Sequence, residues 1–395
     1  MKILLAWELG AHFGHLARHL PIAEALKEGG HDPVFAVADT RIAEQLLTPR
    51  GFGFLQAPVA REKLRLPAPP ANYGELLLAE GFHDPAALAG RVRAWLGLFD
   101  LVQPDRLLLD HAPTALLAAR IAGCPATVFG TGFEIPPACT PYPCFRPWDA
   151  VPTAWLAQSD ARALAHIHAV CALHGKPRLS ALPELFAGAA QALVTFPELD
   201  HYGERPGGRY LGPLFAAAGG RKVSWPSGEG RRVLAYLRAD VPGFPEMVEA
   251  LAARADPTLL IAPDAPASWV ARHTSAHLVI HTSPVDFGLL LDECDLGVSY
   301  GGSGTLSQFL LAGVPQILMP KNAEQYLGAK RIEEAEAGLL IGQDRSVAHI
   351  TQTITRVLSD SRYRQTAALV ARRYADYRPE TTARAVAALL SRPSA

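Results

Sequence analysis

The sequence predicts an α/β protein made of two doubly wound halves, and three observations carry that prediction. Short apolar runs alternate with longer helical patterns along most of the 395 residues, the pattern of βαβ units and parallel sheets. Such runs form two series, separated by a stretch, Glu204–Gly230, that holds seven glycines and three prolines. The composition, 49% apolar and 19% charged, has enough apolar side chain for sizeable cores, and the length suits two domains.

In chain order, Lys2–Trp7 reads as a first strand, followed by a Gly/His loop and a helix from about His15 to Gly29, where Gly29-Gly30 stops it. Pro33–Ala38 is a second strand and Arg41–Thr48 a short helix. Residues 57–90 are rich in Pro, Gly and Ala and form a variable, partly helical excursion. Arg106–Leu109 is a strand ending at Asp110; a helix runs through Arg120, and Ala126–Phe129 is the next strand. Gly130–Pro152, with six prolines, reads as a long surface loop. The second series has strands at Val233–Leu237, Thr258–Ile261, Leu278–His281, Leu296–Ser299 and Gln316–Met319, with helices between them to about Leu358. The expected division is residues 1–205, a linker 206–230, a second domain 231–360, and helices 361–395 that could cross back to the first.

Lys and Arg number 37 against 38 Asp and Glu, a net charge of −1, which argues against a general nucleic-acid binder. No apolar run approaches the roughly 18 residues that span a bilayer, and the first run is too short for a signal-peptide core. A cytoplasmic protein is expected. Five scattered cysteines without a CxxC give neither a disulfide framework nor a zinc site.

Candidate chemistry lies at strand ends, where doubly wound folds collect ligands. The first turn, Gly10–His15, places His15 where an imidazole can take a proton from a bound hydroxyl; its bland alternative is a polar loop that caps a helix. Asp110 ends a later strand, 95 residues on, and could orient that imidazole or merely cap the next helix. His19 and His111 are rival bases. In the second half, Leu296–Ser307 runs from a strand through Gly301, Gly302 and Gly304 into a helix start with Ser303 and Thr305, a cradle for phosphate. Glu324 and Gln325 open another helix after a strand, an acid–amide pair suited to sugar hydroxyls, although Glu324 also suits a helix dipole.

Three segments in this order, GHFGHLARHLPIAEALKEGGH, LLLDH and YGGSGTLSQFLLAGVPQILMPKNAEQYLGAKRIEE, resemble the GT-B nucleotide-sugar glycosyltransferases related to UDP-glycosyltransferases and bacterial macrolide or antibiotic glycosyltransferases. The likeness spans most of the chain. It implies two Rossmann-like domains facing a cleft, with His15 as catalytic base and Asp110 as its partner. It also implies a diphosphate on Gly302, Ser303, Gly304 and Thr305, and sugar hydroxyls on Glu324 and Gln325. The departures are Tyr300 in place of a His, Glu324 in place of an Asp, and Thr282 in the region of a base-stacking Trp. The first strand of the second half leads into Arg238 instead of small residues; Arg238 could supply the missing phosphate charge or be a surface residue. Residues 60–90 and 130–155 would line an apolar acceptor, with Phe13, Phe133 and Glu134 as contacts.

The implied reaction is inverting transfer of a hexose from a UDP- or dTDP-sugar to a hydroxyl of a small acceptor. No Asp-x-Asp occurs, so no metal or other cofactor is expected beyond the nucleotide sugar as co-substrate. The alternatives are a catalytically silent sugar-nucleotide binding protein and a non-hydrolysing sugar-nucleotide epimerase.

Overall fold

The computed structural model describes residues 1–10, 13–215 and 220–391. The apolar run Lys2–Trp7 forms β1, buried from Ile3 onward. It is followed by α1 (Gly14–Glu28), β2 (Asp32–Val37), α2 (Thr40–Leu46), β3 (Phe54–Gln56), α3 (Tyr73–Leu77) and α4 (Pro85–Val102). Then come β4 (Arg106–Asp110), α5 (Pro113–Ala122), β5 (Ala126–Gly130), α6 (Thr153–Leu173) and β6 (Ala190–Leu193). These strands make one parallel sheet in the order β3-β2-β1-β4-β5-β6.

A second parallel sheet repeats the topology. Its chain order is β7 (Val233–Tyr236), α7 (Phe244–Ala252), β8 (Thr258–Ile261), α8 (Ala267–His273), β9 (Leu278–His281) and α9 (Gly288–Leu291). It continues through β10 (Leu296–Ser299), α10 (Ser303–Leu311), β11 (Gln316–Leu318), α11 (Ala323–Glu334), β12 (Gly338–Leu340), α12 (Val347–Ser359) and α13 (Ser361–Arg373). The strand order is β12-β11-β10-β7-β8-β9. Each sheet therefore reverses direction once, between β1 and β4 and between β7 and β10, which opens a crevice at the carboxyl ends of those strands.

The chain divides into two units, Met1–Phe215 with Arg378–Ala395, and Ala216–Tyr377. The last helix, α14 (Pro379–Ser391), belongs to the first unit, where Ala383, Val386 and Leu390 join the core of Leu16, Leu20 and Phe35.

Three strands have no counterpart in the sequence reading: β3, β6 and β12. All are sheet edges of three or four residues, too short for an apolar run. The excursion holds more helix than expected, because Asp84 caps α4 by accepting from the Ala86 and Ala87 N–H groups. The expected long surface loop at 130–152 is a correction. Phe133, Ile135, Tyr142 and Phe145 are each no more than 5% exposed, so aromatic side chains draw it inward despite its prolines.

Candidate active site

The first unit places two of the expected residues across its reversal point. Trp7 on β1 pairs in register with Asp110 on β4, and His15 opens α1 just beyond β1. His15 Nδ1 lies 3.0 Å from Asp110 Oδ2. The imidazole stacks on Trp7, with ring centroids 5.2 Å apart, so its plane is fixed from one side.

Arg18, one turn along α1, was not singled out by sequence, although its spacing from His15 puts both on one helix face. Its Nη2 donates to Asp110 Oδ1 at 2.8 Å and to Glu134 Oε1 at 3.0 Å, and also stands 2.9 Å from His15 Nδ1. Nη2 has two hydrogens, and the two carboxylates take them. The remaining arrangement has His15 Nδ1–H donating to Asp110, which leaves Nε2 with a free lone pair. Burial alone would raise the Asp110 carboxyl, but Arg18 and His15 outweigh it and hold it well below the usual carboxylate range. Asp110 therefore stays ionised and acceptor-only.

Glycine at position 10 gives Nε2 its room. A β-carbon there would stand 2.2 Å from Nε2, and the backbone φ is +92°. His12, from the same turn, lies outside the described residues.

The rival bases are placed otherwise. His19 is fully buried, its Nδ1 2.9 Å from the His15 carbonyl oxygen, and burial pushes it down to about 4. His111, at φ +43°, is likewise pushed down to about 4 by burial, so both are neutral rings. Of the expected acceptor contacts, Phe13 is 49% exposed, whereas Phe133 is buried against Phe145 and His111. Glu134 is spent on Arg18 and on the Thr131 N–H and hydroxyl. Glu134, Tyr73 and His111 line a small cavity of about 10 Å³ beside the dyad, room for one water.

His15, Asp110 and Glu134 each offer a ligand atom within 4.8 Å of the others, a spacing that a cation could use. The Arg18 guanidinium already bonds both carboxylates, so the cluster is charge-balanced by the protein itself.

In the second unit, the glycine-rich turn follows β10, and Ser303, Gly304 and Thr305 form the first turn of α10, partly exposed and without a side-chain cap. Gly301, at φ +84°, lets this turn approach the next: a β-carbon there would stand 3.0 Å from the Gln325 carbonyl oxygen. Gly302 sits over the Tyr300 ring. Burial raises the Tyr300 phenol, which stays neutral, and its ring packs against Tyr236 with centroids 5.6 Å apart. Gln325 is buried, with Oε1 accepting from the Lys321 N–H at 3.1 Å, while Glu324 is half-buried in the first turn of α11. Arg238, beyond β7, faces Asp264 at 3.3 Å and Asp240 at 3.6 Å. Thr282 is exposed beyond the edge strand β9, with β7 and β8 between it and β10.

Comparison with known proteins adds to this geometry. Residues 252–389 match the family described as erythromycin biosynthesis protein CIII-like, C-terminal domain. The chain is 26% identical to a PGL/p-HBAD biosynthesis rhamnosyltransferase of Mycobacterium bovis (strain BCG / Pasteur 1173P2), over 90% of this chain and 81% of that one. The chain has the GT-B fold and is a glycosyltransferase. Among solved structures, the glycosyltransferase shares its fold with spinosyn rhamnosyltransferase SpnG, at TM-score 0.67 and 20% identity, covering 98% of this chain and 99% of that one. It shares the fold equally with the kitacinnamycin glycotransferase, at TM-score 0.72 and 17% identity, covering 98% and 97%. Sugar transfer from a nucleotide sugar is thus its reaction class. Among the described residues, no helix of this glycosyltransferase is long and apolar enough to cross a membrane.

Proposed function

We propose that this glycosyltransferase inverts the anomeric centre, moving a hexose from a dTDP- or UDP-sugar to a hydroxyl of a small, largely apolar acceptor. The observation that carries the reading is the His15–Asp110 pair at 3.0 Å, set by Arg18 so that Nε2 is the basic nitrogen. Nε2 takes the acceptor proton as the acceptor oxygen forms its bond to the anomeric carbon. The bond to the diphosphate oxygen breaks on the opposite face, and the nucleoside diphosphate leaves. Asp110 holds the imidazolium formed, help typically worth about 10²–10⁴-fold. Ser303, Gly304 and Thr305 would receive the diphosphate at the α10 N-terminus, and Glu324 with Gln325 the sugar hydroxyls. The proposal assigns no metal, since Arg18 supplies the positive charge at the carboxylates.

The rhamnosyltransferase relative and SpnG, solved with thymidine diphosphate and with spinosyn aglycone, support a dTDP-linked sugar and an apolar acceptor. The test pairs dTDP- and UDP-hexoses with aryl and macrolide alcohols, and reads product anomeric configuration by NMR. Transfer with inversion supports the reading. Retention, or hydrolysis alone with every acceptor, would sink it.

A further inference from the structure

Lys321 and Arg238 follow β11 and β7, the two strands that flank β10, so they stand on either side of the glycine-rich turn. Strands that far apart in a sheet are separated by roughly 10 Å. Asp240 bridges the gap: its carboxylate is 2.8 Å from Lys321 Nζ and 3.6 Å from Arg238 Nε. Asp264, beyond β8, pairs with the other side of Arg238 at 3.3 Å. Charges therefore alternate along the carboxyl edge of the sheet, with one acid held between two bases.

We propose that Asp240 is a built-in placeholder for an anion. A nucleoside diphosphate bound at the glycine-rich turn displaces its carboxylate and takes Lys321 and Arg238 as its cationic partners. This rests on the reading that the second unit holds the donor.

Four observations favour a placeholder over a structural staple. The loops are already tied by Arg345, which donates to the Pro242, Pro320 and Gly342 carbonyls at 2.5, 3.2 and 2.9 Å. The bridge is not needed to hold them. Asp240 is the exposed partner, with 57% of its side chain accessible against 19% for Lys321 and 25% for Arg238. The acid can swing into water while the bases stay, and an exposed ion pair is weak enough to exchange partners. Arg238 Nε is buried and has no hydrogen-bond acceptor, because 3.6 Å to Asp240 is too long. A closer acceptor would satisfy it. Finally, Tyr300 beside the glycine-rich turn is a neutral phenol, so it adds no positive charge there.

The test is calorimetry with thymidine diphosphate and uridine diphosphate, using thymidine and uridine as phosphate-free controls. Asp240→Asn frees the bases, and should tighten diphosphate binding about 3–10-fold while leaving the nucleosides unchanged. Lys321→Met should weaken it about tenfold and flatten its salt dependence, and Lys321→Arg should weaken it less. In the Lys321→Met background, Asp240→Asn should give a smaller gain. Melting temperatures confirm that each variant is folded. If Asp240→Asn weakens or does not alter diphosphate binding, Asp240 is a staple or a bystander and the placeholder is overturned, with the donor reading intact. If the wild-type protein binds neither diphosphate, both readings fall.

Discussion

Nε2 of His15 keeps a free lone pair because three neighbours dispose of the alternatives. Asp110 takes the Nδ1 proton, Arg18 keeps Asp110 ionised, and Gly10 leaves the lone pair uncovered. Gly10→Ala tests the last of these. Its β-carbon would stand in front of Nε2, so we expect turnover to fall about 10²–10³-fold, the cost of losing a general base. Nucleoside diphosphate affinity should hold, and the positive φ should cost about 1 kcal/mol of stability. Turnover within twofold of wild type would show that Nε2 is not the working atom. Removing Arg18 would be harsher, since it leaves two buried carboxylates facing one another.

At the scale of elements, both sheets carry their candidate residues at the ends of buried strands, and one helix start carries an unusual cap. Glu8, directly after β1 and 4% exposed, accepts from the Thr114 and Ala115 N–H groups in the first turn of α5. Burial pushes its carboxyl up to about 7 even so. A raised carboxyl contributes stability below its ordinary value of 4.5, which is lost as pH rises toward 7. Glu8→Gln keeps the acceptor without the charge. It should therefore be more stable than wild type at pH 8 by about 1–3 kcal/mol, with the gap closing toward pH 5. Urea denaturation across that range checks it, and a gap independent of pH would contradict the assignment. The strands that hold these sites were legible because buried parallel strands read as unbroken apolar runs, as in Leu107–Asp110 and Leu296–Ser299. His15, Asp110 and the glycine-rich turn were legible for the same reason, as polar residues where such runs stop. Arg18 and Lys321 were not, because a lone basic residue on a helix or in a loop looks like solvated surface until the acids it faces are brought in from distant strands. Phe133 and Glu134 were read as a surface lining because the prolines around them concealed a loop folded into the core.

At the scale of the whole molecule, the chain closes its first unit with its own end. In α14, Val386 and Leu390 are fully buried in the first core, and the Thr382 hydroxyl donates to the Leu211 carbonyl. A fragment of residues 1–215 should accordingly remain poorly ordered by NMR until a peptide of residues 378–395 is added. A well-dispersed spectrum without the peptide would contradict this. The central claim, that His15 and Asp110 act as one base, is tested most directly by a double-mutant cycle on kcat. We measure His15→Ala, Asp110→Asn and the double variant with a saturating nucleotide sugar, alongside the donor Kd and melting temperature of each. The account predicts a kcat loss of about 10²–10⁴-fold for His15→Ala with donor Kd unchanged, and almost no further loss when Asp110→Asn is added. Losses that multiply, or near-normal kcat in His15→Ala, would contradict it.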